Sequence, residues 1–269
     1  MEGDMQGGGV KIHAPEDFAG MRAAGQLAAR TLDMITPHVR EGVTTGELDR
    51  LIHDFMIANG SVPATLGYRG YPASSCISIN HVVCHGIPGD RALKDGDILN
   101  IDVTVILDGW YGDTSRMYTV GNVSLKAQKL IEATYQSLML SIDAVRPGAT
   151  LGDIGHVIQT YAQARRFSVV RDFCGHGIGR TFHAAPNVLH YGRPGEGLVL
   201  RPGMFFTIEP MLNIGRPDVK ILDDGWTAVT RDRSLSAQFE HMLGVTEDGC
   251  EVFTLSPAGF TCPPYPAAA

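Results

Sequence analysis

Between Asp97 and Leu107 apolar side chains occupy the odd positions Leu99, Ile101, Val103, Val105 and Leu107, while Asn100, Asp102 and Thr104 lie on the even ones. A period of two predicts a half-buried β-strand whose polar residues face away from the core. Asp108-Gly109 follows and suits a two-residue hairpin loop, because primed turns need positive φ, which Gly and Asp tolerate. Pairing Leu107 with Trp110 then sets Thr104 opposite Asp113 and Asp102 opposite Ser115. Asp102 and Asp113 become diagonal neighbours on one face, roughly 7–8 Å apart at the backbone. Carboxylates so placed can converge on two cations about 3.5–4 Å apart. A three-residue loop would put them on opposite faces.

The pattern repeats along the chain. V-R-E-G-V-T-T-G-E-L from Val39 recurs as V-R-P-G-A-T-L-G-D-I from Val145, an offset of 106. Each copy follows a longer helical pattern, Pro15–Ile35 and Ser124–Val145. Each also sets Thr three positions before an acid (Thr44 and Glu47, Thr150 and Asp153), a capping-box arrangement, strict only in the Glu copy, that opens an amphipathic helix. Further on, K-D-G-D-I-L-N-I-D from Lys94 matches R-P-G-M-F-F-T-I-E from Arg201 at an offset of 107, which aligns Asp102 with Glu209. A looser match aligns Asp113 with Glu240. Two matches in the same order at nearly equal offsets favour a duplicated α/β half, with the acid-bearing strands of both copies near a pseudo-twofold axis.

Composition narrows the setting. With 269 residues and 44% apolar content the chain can bury a full core, as one large domain or two small ones. A net charge of −7 gives no electrostatic reason to expect nucleic-acid binding. No apolar run reaches the roughly 18–20 residues of a membrane span, and M-E-G-D-M-Q-G-G-G lacks the basic and apolar regions of a signal sequence. Five cysteines without C-x-x-C spacing argue against a disulfide framework and a structural zinc site, so a reduced cytoplasmic compartment is expected. Residues 1–12 read as a flexible Gly-rich lead-in and 259–269 as a loose tail, which leaves 13–258 for the folded body.

In G-H-G-I-G, glycines let the backbone around His176 approach another group closely. Together with Asp102, Asp113, Glu209 and Glu240 this gives four carboxylates and one imidazole. Four ionised carboxylates share a dry pocket only when opposite charge neutralises them, and two divalent cations carry enough. Oxygen-rich ligands with one His suit Mn, Fe(II), Co or Zn in a hydrolytic site. A water bridging two such cations has a much lowered pKa and can attack as hydroxide at neutral pH.

The segments carrying these residues closely resemble the type I methionine aminopeptidases of the pita-bread metallopeptidase family. The likeness rests on S-I-N-H-V-V-C-H-G-I-P, N-I-D-V-T-V-I-L-D-G-W-Y-G-D-T-S-R-M-Y, F-C-G-H-G-I-G-R-T-F-H, F-F-T-I-E-P-M and S-L-S-A-Q-F-E-H, in family order, and runs from about residue 14 to 258. It implies an α+β pita-bread fold: two pseudo-symmetric halves whose curved antiparallel sheet is covered by helices around a central dinuclear metal site. It implies metal ligation by Asp102, Asp113, His176, Glu209 and Glu240, with Co, Mn, Fe, Zn or Ni as the two divalent ions. Glu209 would also shuttle a proton to the leaving amine, His85 would bond the scissile amide nitrogen, and His183 would stabilise the tetrahedral intermediate. A methionine pocket would draw on Tyr68, Tyr71, Cys76, Phe182 and Trp226, flanked by His85 and His183. The implied substrates are nascent N-termini with a small second residue, met by a cytoplasmic monomer in transient contact with the ribosome and without nucleic-acid specificity.

His81, Tyr111, Ala184 and Thr65 depart from residues frequent in bacterial members, without removing a ligand or either candidate catalytic His. Prolidase-like and aminopeptidase P relatives usually carry a separate N-terminal domain, whereas the helical pattern here begins near residue 15. Type II relatives carry a helical insertion between the ligand His and the next ligand Glu, and only 32 residues separate His176 from Glu209. Creatinase-like relatives lack the ligands. A non-catalytic binding module of the same fold would show lost ligands or an added basic segment, and this chain shows neither.

Overall fold

The computed structural model describes residues 9–265. Its first half runs α1 (Asp17–Ile35), α2 (Thr45–Ala58), β1 (Val62–Pro63), β2 (Cys76–Ile79), β3 (Val82–Cys84), β4 (Ile98–Leu107) and β5 (Trp110–Thr119). The second runs α3 (Leu125–Asp143), α4 (Leu151–Ala164), β6 (Ser168–Val169), β7 (Gly175–Gly177), β8 (Ala184–Val188), β9 (Phe205–Ile208), β10 (Met211–Asn213), β11 (Val219–Ile221), β12 (Ala228–Thr230), β13 (Ser236–Gln238), β14 (His241–Val245) and β15 (Cys250–Val252). Every strand pairing is antiparallel. None of the described helices is long and apolar enough to cross a membrane, and all five cysteines are free.

The β4–β5 hairpin has the expected two-residue loop. Leu107 pairs with Trp110, Thr104 with Asp113 and Asp102 with Ser115, and both loop residues have positive φ (Asp108 +50°, Gly109 +77°). The odd-numbered side chains of β4 join a core under α1 and α2, with Leu27, Leu32, Leu48 and Ile52. The expected half-burial does not hold. Asn100 and Thr104 are buried too, because the second half of the molecule covers the polar face.

The repeated turns make the same contacts. Gly42 N–H donates to Leu93 O at 2.9 Å and Gly148 N–H to Leu200 O at 3.0 Å; Gly46 N–H donates to Gly89 O and Gly152 N–H to Glu196 O at 2.8 and 2.9 Å. Donors recur at an offset of 106 and acceptors at 107. Both capping boxes close, including the shorter Asp copy, where Thr150 N–H donates to Asp153 Oδ2 at 2.7 Å. The second acid hairpin differs in detail from the first. Ile208 pairs with His241 and Met211 with Gln238, so Glu209 and Glu240 face each other across a break between two ladders of one register. The position matching Glu240 in register is therefore Ser115, not Asp113. Those two residues also join the halves, since Glu240 N–H donates to Ser115 O at 3.1 Å.

Residues 259–265, expected in a loose tail, are docked. Tyr265 donates to Met117 O at 2.9 Å and packs edge-on against Tyr118, while Cys262 packs against the second-half core. At the other end Val10 also joins that core. The remainder of both expected terminal segments, residues 1–8 and 266–269, lies outside the described residues.

Gly112 shows how closely α1 rests on β5: a Cβ there would sit 2.2 Å from Ala24 O. Gly112→Ala is expected to cost about 2–3 kcal/mol through overpacking, read from urea unfolding. The neighbouring Asp113 should shift with the strand, and divalent-metal affinity should fall with stability.

Candidate active site

The polar face of β4–β5 meets the break in the second hairpin, and there the five sequence-predicted metal residues come together. Asp113 Oδ2 lies 3.3 Å and Glu209 Oε1 3.7 Å from His176 Nε2. One ligand atom each from Asp113, His176 and Glu240 lies within 4.8 Å of the others, and all three side chains are buried. Asp102 joins them electrostatically, and its Oδ1 is buried without any hydrogen-bond partner. His176 Nδ1 faces the Gly177 carbonyl at 3.1 Å; a carbonyl only accepts, so Nδ1 carries a proton and Nε2 is the ring nitrogen turned toward the carboxylates.

The protonation behaviour follows from crowding. Burial raises the Asp102 carboxyl well above its usual range, and the charges of Asp113 and Glu209 add to this. Glu240 is raised in the same way by burial and by Asp113, Glu209 and Asp102. Burial pushes Glu209 up to about 7; the Asp113 charge adds to the rise and His176 opposes it. Burial disfavours a charged His176, but the Asp113 hydrogen bond and the Glu209 and Asp113 charges outweigh it, and its pKa is raised. Acids of this density, an orphaned carboxylate oxygen and an imidazole nitrogen aimed among them fit a site for divalent cations.

Several neighbours fix these acids, and of them only Thr104, set opposite Asp113, figures in the sequence reading. Thr104 Oγ1 donates to Asp113 Oδ1 at 2.8 Å, and Thr207 Oγ1 donates to Glu209 Oε1 at 2.9 Å while accepting from His176 N–H at 3.1 Å. Gln238 Nε2 donates to Glu209 Oε2 at 3.3 Å. Glu209 N–H, at the ladder break, donates to the fully buried His190 Nε2 at 3.2 Å. Two-residue spacing from the acids would have singled out Thr207 and Gln238 as well, as residues of one strand face. For His190 the sequence holds no such signal.

Beside the acids lie two groups of apolar and aromatic side chains. Tyr71, Ala73 and Cys76 form a small buried cluster with Ile87 and Trp226; Tyr71 meets Trp226 edge-on at 5.1 Å, and His85 lies 6.1 Å from the Trp226 ring. Cys76 is the ladder partner of Asp102 across β2–β4, which ties this pocket to the acids. On the other side Tyr68, Phe182 and His183 stack within 4.0–5.3 Å, and His183 lies 4.3 Å from the His176 ring. Burial lowers the His85 pKa to about 4; burial and the charges of His176, His85 and Arg69 lower that of His183 to about 3, so both rings are neutral at pH 7. His85 is held at φ +56°, a backbone region non-glycine residues rarely occupy.

Comparison with known proteins agrees with this arrangement. The profile of metallopeptidase family M24 matches residues 19–247. A methionine aminopeptidase from Rickettsia prowazekii is 61% identical over 257 residues, covering 95% of this chain and 99% of that protein. The chain belongs to the type I methionine aminopeptidases. The Escherichia coli K12 methionine aminopeptidase is 55% identical over 91% of this chain and 94% of its own. The crystal structure of the Rickettsia prowazekii methionine aminopeptidase superposes with a TM-score of 0.91 at 61% identity, covering 92% of this chain and 100% of that one. As a methionine aminopeptidase the chain is a hydrolase with a pita-bread fold of helices over antiparallel sheet. Two of its departures from frequent bacterial residues serve the site walls. Tyr111 stacks on Phe182 at 5.4 Å, and Thr65 Oγ1 donates to Ala73 O at 3.0 Å, closing the loop that carries Tyr68 and Tyr71.

Proposed function

We propose that this enzyme removes the N-terminal methionine from nascent proteins and peptides whose second residue is small. The reading is carried by the convergence of Asp102, Asp113, His176, Glu209 and Glu240 beside the pocket of Tyr71, Cys76 and Trp226. Those five side chains would hold two divalent cations from among Co, Mn, Fe, Zn and Ni. Bound there, such ions would acidify a water for attack at neutral pH and polarise the scissile carbonyl.

The remaining work falls to the chain's own groups. The polarisable thioether of methionine suits Cys76 and the faces of Tyr71 and Trp226, while Tyr68 and Phe182 close the opposite wall. Glu209 takes a proton from the attacking water and returns it to the departing amine. Tyr68 OH lies 3.0 Å from His183 Nδ1. When it donates there, the proton of neutral His183 sits on Nε2, free to bond the developing oxyanion. His85 holds the scissile amide nitrogen. Free access of nascent chains fits a cytoplasmic monomer that meets the ribosome transiently.

Assays with each divalent metal on Met-Ala and Met-Gly peptides beside Xaa-Pro peptides test the substrate. Cleavage of the methionyl peptides is expected. Cleavage of Xaa-Pro alone overturns the substrate, and inertness with every metal overturns the activity.

A further inference from the structure

We infer that Arg69 makes the enzyme favour peptides with an acidic side chain at the third residue. The inference rests on the substrate orientation proposed above.

Arg69 lies in the Tyr68–Gly70 turn, between Gly67 and Gly70, both at positive φ. It adopts φ +50° itself, a conformation in which Gly or Asn is the economical residue. An arginine there forgoes backbone ease and sets a guanidinium at the rim. That group is exposed, lies 5.5 Å from the Tyr68 ring centroid, and among the described residues has no carboxylate within 4.0 Å. Tyr68 in turn contacts His183, with its OH 3.0 Å from His183 Nδ1. On the pocket's other wall, Asp224 is engaged by the backbone N–H groups of Trp226 and Thr227.

With methionine between Tyr71 and Trp226 and its carbonyl at His183, the peptide leaves past His183 and Tyr68. A small second residue does not reach the rim. The third side chain is the first that can, and the cation it meets there is unpaired. Charge attraction at an exposed site is modest, worth roughly a two- to fivefold preference, and weakens with salt.

The test compares kcat/KM on Met-Ala-Glu, Met-Ala-Gln and Met-Ala-Lys amides for the metal-loaded wild type, Arg69→Asn and Arg69→Glu, at low salt and at high NaCl. The wild type is expected to favour Glu over Lys about fivefold, Arg69→Asn to lose the preference, and Arg69→Glu to invert it. High salt should shrink both preferences, and Met-Ala-Gln should be cleaved alike by all three proteins. A Glu-to-Lys ratio unchanged in Arg69→Glu overturns the inference while Met-Ala-Gln cleavage leaves the activity standing. Failure of every protein on Met-Ala-Gln overturns the activity, and the inference with it.

Discussion

Glu209→Ala should lower kcat by about 10³-fold, within the range that a positioned acid–base group contributes. Glu209 is held by Thr207 Oγ1 on one oxygen and Gln238 Nε2 on the other, with its own N–H on His190, so the carboxylate has one orientation. Burial raises its pKa to about 7 in the metal-free protein. Removing the side chain deletes both the proton relay and a candidate cation ligand, so metal affinity measured calorimetrically should also fall, by at least about tenfold. Glu209→Gln separates the two contributions to catalysis, because the amide keeps the shape and can still accept a hydrogen bond but cannot take the proton. Its kcat should fall nearly as far at saturating metal, with KM for Met-Ala little changed. Substantial turnover by either variant removes Glu209 from the mechanism.

The hairpin that presents Asp102 and Asp113 was legible because strand alternation and the Asp108-Gly109 loop are both local rules, and they agree on one register. The repeat was legible for a related reason: Gly42 and Gly148, with the capping threonines, are fixed by backbone bonds that admit few residue types. What stayed hidden is what depends on contact between the halves. Burial of Asn100 and Thr104 comes from the second hairpin lying over them, and no alternation pattern reports a partner 100 residues away. The looser alignment of Asp113 with Glu240 fails because Val219–Ile221 and Ala228–Thr230 interrupt the second hairpin, so the simple offset that served Asp102 does not carry across it. His190 reaches Glu209 from outside either hairpin and carries no spacing signal. Tyr265 sits in a Pro- and Ala-rich stretch that reads as tail, yet its ring meets Tyr118 and the Arg116 guanidinium at 5.4 and 5.7 Å.

Metal-free protein is expected to lose stability relative to the Mn²⁺-loaded protein as pH rises from 5 to 8. Asp102, Glu209 and Glu240 all have folded-state pKa values above their ordinary ones, first through burial and then through the charge of Asp113, to which Glu209 adds for Asp102 and Glu240. A group raised in this way contributes stability that is complete below its unfolded pKa and is lost as pH climbs through the folded value. For Glu209 that window runs from about 4.5 to about 7, which corresponds to about 3 kcal/mol. His176, also raised, acts in the same direction. The carboxylates held low by backbone donors, such as Asp232 at about 2, lose their contribution only at more acid pH and leave this window untouched. Calorimetric melts in chelator and with Mn²⁺ are therefore compared at each pH, because burial lowers His85, His183, His190 and His241 to about 3–4 and these rings favour the folded protein as pH rises toward 6.5, against the acids. Adding Mn²⁺ should raise the melting temperature more at pH 8 than at pH 5, because at acid pH the ions must displace protons from the same oxygens. Titrations in two buffers of different ionisation enthalpy should register that proton release. A Mn²⁺-induced rise in melting temperature no larger at pH 8 than at pH 5 would mean the four acids are not what the cations neutralise, and their assignment as a metal site would fail.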